Sequence, residues 1–566
     1  MPTRFLTARG SADELSMLMR MTGPAARLGW LALVAGSFTL SCGSSPVEAS
    51  MASTGKQWWG DGVCYEIFVR SFSDADGDGI GDLRGLISRL DYINDGNPQS
   101  TTDLGANCIW LMPISKSVSY HGYDVSDYYH VDPHYGTDED FRQLMREAHR
   151  RGIHVIVDFV PNHSSSEHPF FQSALKGPAS PYRDWYRWSA VKPNQTGPWG
   201  QEVWHKSPVR DEYYYGLFWG GMPDLNYQTP AVLNEMKRVT LHWLTDMGAD
   251  GFRFDAIPYL VEEGGQLAHT RGTHDVLRQL GDAVRRASPS AFTIGEMSEE
   301  SAQILSSYYP DQLDAYFAFG VAAGTMETAR TGAAAPFLNA VREANSRFPA
   351  GRWSPFLTNH DHVRVMTVLA GDRARARIAA SAMLMLPGLP FVYYGEEIGM
   401  IGTKPDEQIR TPMQWSSEPG VGFTTGTPWE NPQSDWSVTN VQAQDRDAGS
   451  LLNHYRRLIH LRKEHSALSS GDLTVGSASD NAVAAFLRRS PSETVIVVLN
   501  FGARAIPQVN LTLSPGGAAT SIAQFERIYE DPSSGCSPEV SIGENNSVAL
   551  GQIAPYGFCV FRLLNS

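Results

Sequence analysis

Between residues 58 and 470, short apolar runs alternate with amphipathic helical stretches, and this alternation restricts the fold more than any other feature of the chain. The clear runs cover 63–68, 108–111, 155–158, 252–255, 292–296, 355–357 and 391–393, with a weaker one at 315–317. Segments such as 137–151, 230–247 and 373–385 lie between them and repeat apolar residues at helical spacing. Strand followed by helix, over and over, builds a parallel sheet, and eight such units predict an α/β fold of the (β/α)8 TIM-barrel type. One interval is too long for a simple connection. Between Asp158 and Pro230 lie about seventy residues rich in Trp, Tyr, Pro and Gly, which predicts a small inserted domain after strand 3. Beyond residue 470 the helical pattern stops, and β-type runs at 494–499 and 558–561 predict a C-terminal antiparallel β-sandwich.

The expected division is a leader at 1–42, a tether at 43–57, the barrel at 58–158 and 224–470, the insertion at 159–223, and the C-terminal domain at 471–566. The leader reading comes from Arg20 and Arg27 ahead of the apolar run 28–40, which is short for a membrane span and suits a signal-peptide core. Ser41-Cys42 resembles the lipobox of bacterial lipoproteins, so two readings stand: lipidation at Cys42, or plain secretion with cleavage near Ala49. Either way export is expected, to the extracellular space or to the outer membrane as an anchored lipoprotein. A membrane contact is expected only through Cys42. Cys64 and Cys108 lie in apolar strand-like runs and are expected as buried free thiols, whereas Cys536 and Cys559 could pair in an oxidising compartment. The formal net charge of −15 argues against a nucleic-acid partner, because phosphate is repelled. A monomer is expected.

Charged residues cluster where a barrel keeps its chemistry, at the C-terminal ends of strands. Asp158, Arg253 with Asp255, Glu296, and His360 with Asp361 each follow an apolar run. Four carboxylates converging on one pocket are costly unless a reaction requires them. Arg253 and Asp255 point the same way along a strand of period two, so the arginine is expected to keep the aspartate ionised. Glu296 is then the acid that retains its proton among neighbouring carboxylates. An ionised nucleophile beside a protonated acid is the equipment of a retaining glycosidase, with Asp361 left to stabilise an oxocarbenium-like state. Any one of these acids alone reads equally well as a capping residue or a structural ion pair.

The segments Asp158-Phe159-Val160-Pro161-Asn162-His163, Gly251-Phe252-Arg253-Phe254-Asp255-Ala256, Ile294-Gly295-Glu296 and Phe356-Leu357-Thr358-Asn359-His360-Asp361 resemble, in order and spacing, the motifs of the α-amylase family, glycoside hydrolase family 13. The resemblance implies Asp255 as nucleophile, Glu296 as acid/base and Asp361 as transition-state stabiliser. It also implies substrate contacts from Tyr123, Asp124, His163, Arg253, His360 and Arg410. Met222-Pro223-Asp224-Leu225-Asn226 resembles the group intermediate between oligo-1,6-glucosidases and neopullulanases, and Ala256 after the nucleophile goes with α-1,4 cleavage. Internal cleavage of starch and maltooligosaccharides is therefore expected. Exo-acting glucosidase or maltose-converting transglycosylase activity is the alternative, since a pair such as Asp124 with Arg410 closes the pocket in exo-acting relatives. A non-catalytic glycan-binding role fits least, because all three carboxylates are present.

Asp74, Asp76, Asp78 and Asp82 alternate around glycines after the first strand, giving hard oxygen ligands for calcium. The loop resembles that of oligo-1,6-glucosidase-like amylases, with the Ile80 carbonyl as a further ligand. The bland reading is a solvated acidic turn. An EF-hand is excluded, because its twelfth position would fall on Gly85.

Overall fold

The computed structural model describes residues 57–513, 522–529, 536, 540–542 and 547–565. The leader with Cys42 and all of the tether except its last residue lie outside the described residues. Eight parallel strands form the main sheet: β1 (Cys64–Ile67), β2 (Cys108–Leu111), β3 (His154–Phe159), β4 (Gly251–Phe254), β5 (Phe292–Gly295), β6 (Ala315–Phe317), β7 (Trp353–Ser354) and β8 (Phe391–Tyr393). Their order is β7-β6-β5-β4-β3-β2-β1-β8, and a parallel bridge between Phe356 and Phe391 closes the sheet into a barrel. The seventh strand sits two residues earlier than its apolar run suggests. Pro355 has no N–H to continue a ladder, so regular pairing ends at Ser354 and only the bridge resumes beyond it.

The strands read as continuous apolar runs because both faces are covered. Inside, Trp110, Ile156, Phe292, Ile294, Phe317 and Phe391 fill the barrel. Outside, helices pack their apolar stripes against it. Helix α1 (Asp138–Arg150) starts at a capping box, where the Thr137 side chain accepts from the Asp140 N–H and the Asp140 side chain accepts from the Thr137 N–H. Helix α2 (Pro230–Thr245) opens on a proline at its first turn, where a missing N–H is harmless.

The cysteine expectation needs correcting. Cys64 and Cys108 are a disulfide, not free thiols. They are directly paired in register across β1 and β2, so one strand pairing brings both sulfurs together inside the barrel. A register between strands 44 residues apart is invisible in the local sequence. Cys536 and Cys559 also pair.

The chain leaves the barrel after β3 and returns before α2. In between, Trp188–Ser189, Trp204–Lys206 and Tyr213–Tyr215 form a small antiparallel sheet over a core of Val203, Trp204, Tyr215 and Leu217. The two ends of this excursion are zipped together: His163 bridges Asp224, and the Leu225 N–H donates to the Asn162 carbonyl at 2.9 Å. The C-terminal region forms a five-stranded and a four-stranded antiparallel sheet, with Ile496, Val498, Leu511 and Val548 packed between them. Among the described residues no helix is long and apolar enough to cross a membrane.

Candidate active site

Every barrel strand ends at the same rim, and three of the four acids placed there by the sequence meet around one guanidinium. Arg253 lies in β4 and is 1% exposed. Its Nη1 donates to Asp158 Oδ1 and Oδ2 at 2.8 and 3.0 Å and to Asp255 Oδ1 at 2.6 Å, and its Nη2 stands 3.6 Å from Glu296 Oε2. Asp158 ends β3, Asp255 follows β4 and Glu296 follows β5, so three neighbouring strands supply the cluster. Glu296 is fixed from two sides, accepting from the Ala256 N–H at 3.1 Å and from Ser298 Oγ at 3.2 Å. Ala256 takes a left-handed φ of 49°, unusual for a residue with a Cβ, and that turn aims its N–H at the carboxylate.

A second network approaches from the far side of the barrel. His360 Nδ1 shares a 2.6 Å hydrogen bond with Glu66 Oε1 of β1, and His360 Nε2 shares one of 2.6 Å with the Tyr123 hydroxyl. That hydroxyl also donates to Asp158 Oδ2 at 3.2 Å, joining the two networks. Asp361, half exposed, pairs with Arg410 Nη2 at 2.9 Å, and Arg410 is held by Asp406 and by the His360 carbonyl.

Burial pushes Asp255 well above the usual carboxylate range, while Arg253 pulls it down and Asp158 and Glu296 push it further up. The expected pull of Arg253 on Asp255 is present, and burial with the two neighbouring acids opposes it. Three acids share that guanidinium, so one positive charge cannot compensate all of them. Burial likewise raises Asp158 to about 6 against the opposing pull of Arg253. Burial drives His360 well below the ordinary imidazole value and His163 down to about 3, so both rings are neutral. Asp361 moves the other way: desolvation opposes ionisation, but the guanidiniums of Arg410 and Arg253 hold it well below the usual range.

Asp255, Glu296, Asp361, Tyr123, His163 and Arg410 line one cleft of about 370 Å³. Arg253, His360 and Asp124 stand in the layer behind it. Asp124 is buried and accepts from the Ser119 N–H and hydroxyl, whereas Arg410 is taken up by Asp361 and Asp406, so the two are not joined to each other. Three contributions went unread in the sequence. Glu66 is a fully buried acid inside an apolar strand, which was its available signal. Asp406 lies on a short helix four residues before its partner Arg410. Trp199, Phe218 and Trp219 of the insertion, with Tyr259, give the cleft an aromatic wall that only the folded excursion brings into place.

In the acidic loop after β1, Asp74, Asp76 and Asp78 each present a carboxylate oxygen, all within 4.8 Å of one another. Gly77 and Gly79 adopt left-handed φ values of 83° and 94°, and a Cβ on Gly79 would stand 1.9 Å from the Thr427 carbonyl. The tight, oxygen-rich turn fits a hard cation. Asp82 stands outside this group of three. Its oxygens accept from the Ala75 and Gly85 N–H groups, closing the loop and capping the helix Leu83–Ser88. The Ile80 N–H donates to Asp78 Oδ1 at 2.8 Å, which keeps that residue in the same turn.

A TIM barrel with paired carboxyls at its C-terminal rim and an aromatic-walled cleft has the equipment of a glycoside hydrolase. The profile described as "Alpha amylase, catalytic domain" matches residues 66–471, and the chain belongs to the α-amylase family, glycoside hydrolase family 13. Similar proteins include alpha-amylase 3 of Dictyoglomus thermophilum, 37% identical over 452 residues that cover 78% of this chain and 85% of that one. The trehalose synthase/amylase TreS of Mycobacterium tuberculosis is 32% identical over 500 residues, covering 78% and 82%. Among solved structures, an alpha-amylase from H. orenii superposes with a TM-score of 0.78 at 38% identity, covering 89% of this chain and 99% of that one.

Proposed function

We propose that this glycosidase is a retaining α-amylase that cleaves internal α-1,4 bonds of starch and maltooligosaccharides. The observation that carries the reading is that Arg253 holds Asp255 by a hydrogen bond and stands 3.6 Å from Glu296, which sets two carboxyls in the lining of one cleft. In the proposed cycle an Asp255 oxygen attacks the anomeric carbon while Glu296 protonates the departing glycosidic oxygen. Glu296 then takes a proton from the water that hydrolyses the glycosyl ester, so configuration is retained. Asp361, held ionised by Arg410, faces the positive charge that develops on the sugar ring. Internal cleavage is favoured over exo cleavage because Asp124 and Arg410 bind other partners and do not join behind the cleft. Replacement of Asp255 by Asn should abolish starch hydrolysis with the thermal midpoint nearly unchanged, and substantial residual turnover would count against the mechanism. Early mixed maltooligosaccharides from amylose support the endo reading, and glucose alone replaces it with an exo one.

We further propose calcium at Asp74, Asp76 and Asp78, where it would tie the loop after β1 into one conformation. Export is proposed as well, supported by the two disulfides, which persist in oxidising compartments. Mass analysis of the mature N-terminus distinguishes lipidated Cys42 from cleavage near Ala49.

A further inference from the structure

The same two strands that carry Asp158 and Asp255 at one end carry a second cluster at the other. His154 begins β3, Asp250 immediately precedes β4, and His149 lies in the last turn of α1. Each offers one ligand atom, and the three atoms lie within 4.8 Å of one another. We propose that His149, His154 and Asp250 form a transition-metal site, of the kind that takes Zn2+, at the N-terminal end of the barrel and remote from the sugar cleft.

The donor set is the first argument. Two imidazoles and one carboxylate suit zinc, whereas calcium prefers an all-oxygen shell such as the loop after β1. Geometry is the second. His154 Nδ1 stands 3.4 Å from Asp250 Oδ1. Ligands held at about 2.0–2.2 Å around a tetrahedral zinc are separated by roughly 3.4 Å. His149 Nε2 lies 2.8 Å from Asp250 Oδ2, a proton-sharing distance that opens when a metal displaces the proton. The third argument is a loosely held donor. His154 Nδ1 is buried, and its contact with Asp250 Oδ1 is long at 3.4 Å and fails good hydrogen-bond geometry, a gap that a metal between the two atoms would fill.

The supporting layer matches what metal-binding side chains need, which is partners that fix their orientation. Asp250 Oδ2 accepts from the Val155 N–H at 2.7 Å, leaving Oδ1 turned towards His154. Trp58 stacks on the His154 ring with centroids 4.1 Å apart and planes 16° apart, and its own Nε1 is tied to the Ser290 carbonyl. His149 is 46% and His154 31% exposed, so an ion can enter from solvent and keep a water as its fourth ligand.

The test is a Zn2+ titration of the whole chain, first stripped of metal and then supplied with excess calcium. One equivalent should bind saturably and raise the thermal midpoint as free zinc increases. Co2+ in the same site should show the visible absorption of a tetrahedral ion. Changing an orienting residue around zinc costs about 10–100-fold in affinity, so losing a ligand in His154→Gln should cost at least tenfold, while Asp74→Asn leaves the zinc titration unchanged. His149→Gln should behave like His154→Gln; should it fail to fold, the partly exposed His154 variant decides alone. Absence of saturable binding, or binding of undiminished affinity in His154→Gln, overturns the proposal.

Discussion

Replacing Arg253 by Met tests the central electrostatic claim, because it removes a cation and keeps most of the apolar volume. Arg253 makes two hydrogen bonds to Asp158, whose side chain is 0% exposed, and one to Asp255, which is 12% exposed. Most of the uncompensated charge therefore falls on Asp158. Removing one partner of a buried ion pair costs about 3–5 kcal/mol. If Lys56–Ser566 unfolds as one unit of about 500 residues, at roughly 2.1 cal/mol/K per residue, the thermal midpoint falls by about 3–5 °C. The pH dependence has a definite sign. A buried carboxyl with a raised folded-state pKa contributes stability that is full below its unfolded value, about 3.9, and is lost as pH rises through the folded value. For Asp158 in the intact protein that loss runs up to about pH 6. Without Arg253 it extends higher, so the variant's deficit should be small at pH 5 and full at pH 8. Adding Asp158→Asn should restore at least half of the lost stability at pH 8 without restoring hydrolysis. Scanning calorimetry of the two single variants, the double variant and the parent at both pH values gives the cycle. A deficit under about 1 kcal/mol, or one that Asp158→Asn leaves untouched, refutes the reasoning.

Two further outcomes follow from buried or clustered acids elsewhere. Burial and the neighbouring Glu397 raise Glu396 to about 8, while it accepts from the Tyr455 hydroxyl at 2.9 Å. Its contribution to stability is full below pH 4.5 and is lost towards pH 8, so Glu396→Gln should flatten the fall of the thermal midpoint across that window; parallel curves for variant and parent would exclude the assignment. Exhaustive chelation should lower the thermal midpoint, calcium should restore it, and Asp74→Ala should abolish the response; an unshifted midpoint after chelation would remove calcium from Asp74, Asp76 and Asp78.

The legible part of the fold was the part governed by local period. Apolar runs bounded by helical stretches determine a (β/α)8 barrel whatever the fine register, and side chains following a strand must emerge at its C-terminal rim. Asp158, Arg253, Asp255 and Glu296 were therefore readable as neighbours on one rim. What escaped depends on chain meeting chain. The Cys64–Cys108 bond is a property of β1–β2 register. Glu66 looks like a stray charge until β1 comes to face His360. The wall of Trp199 and Phe218 belongs to the inserted region and reaches the cleft only once that region's two ends are zipped beside β3. Pro355 shifted a strand because an absent N–H outweighed an apolar pattern.

The Asp255 result shows why charge in such a site belongs to the group and not to a pair. Read as a dipeptide-spaced couple, Arg253 and Asp255 make a simple ion pair, and the aspartate is low. Folding adds Asp158 and Glu296 to the same guanidinium and largely buries Asp255, so the balance on Asp255 reverses. That reversal is useful to a retaining mechanism, which needs one acid negative and another protonated at the same moment. The Glu66–His360–Tyr123–Asp158 chain then has a physical purpose. Its hydrogen bonds tie the far strands of the barrel to the cluster and fix Asp158, the acid most deeply buried, while Asp255 and Glu296 are the two that line the cleft.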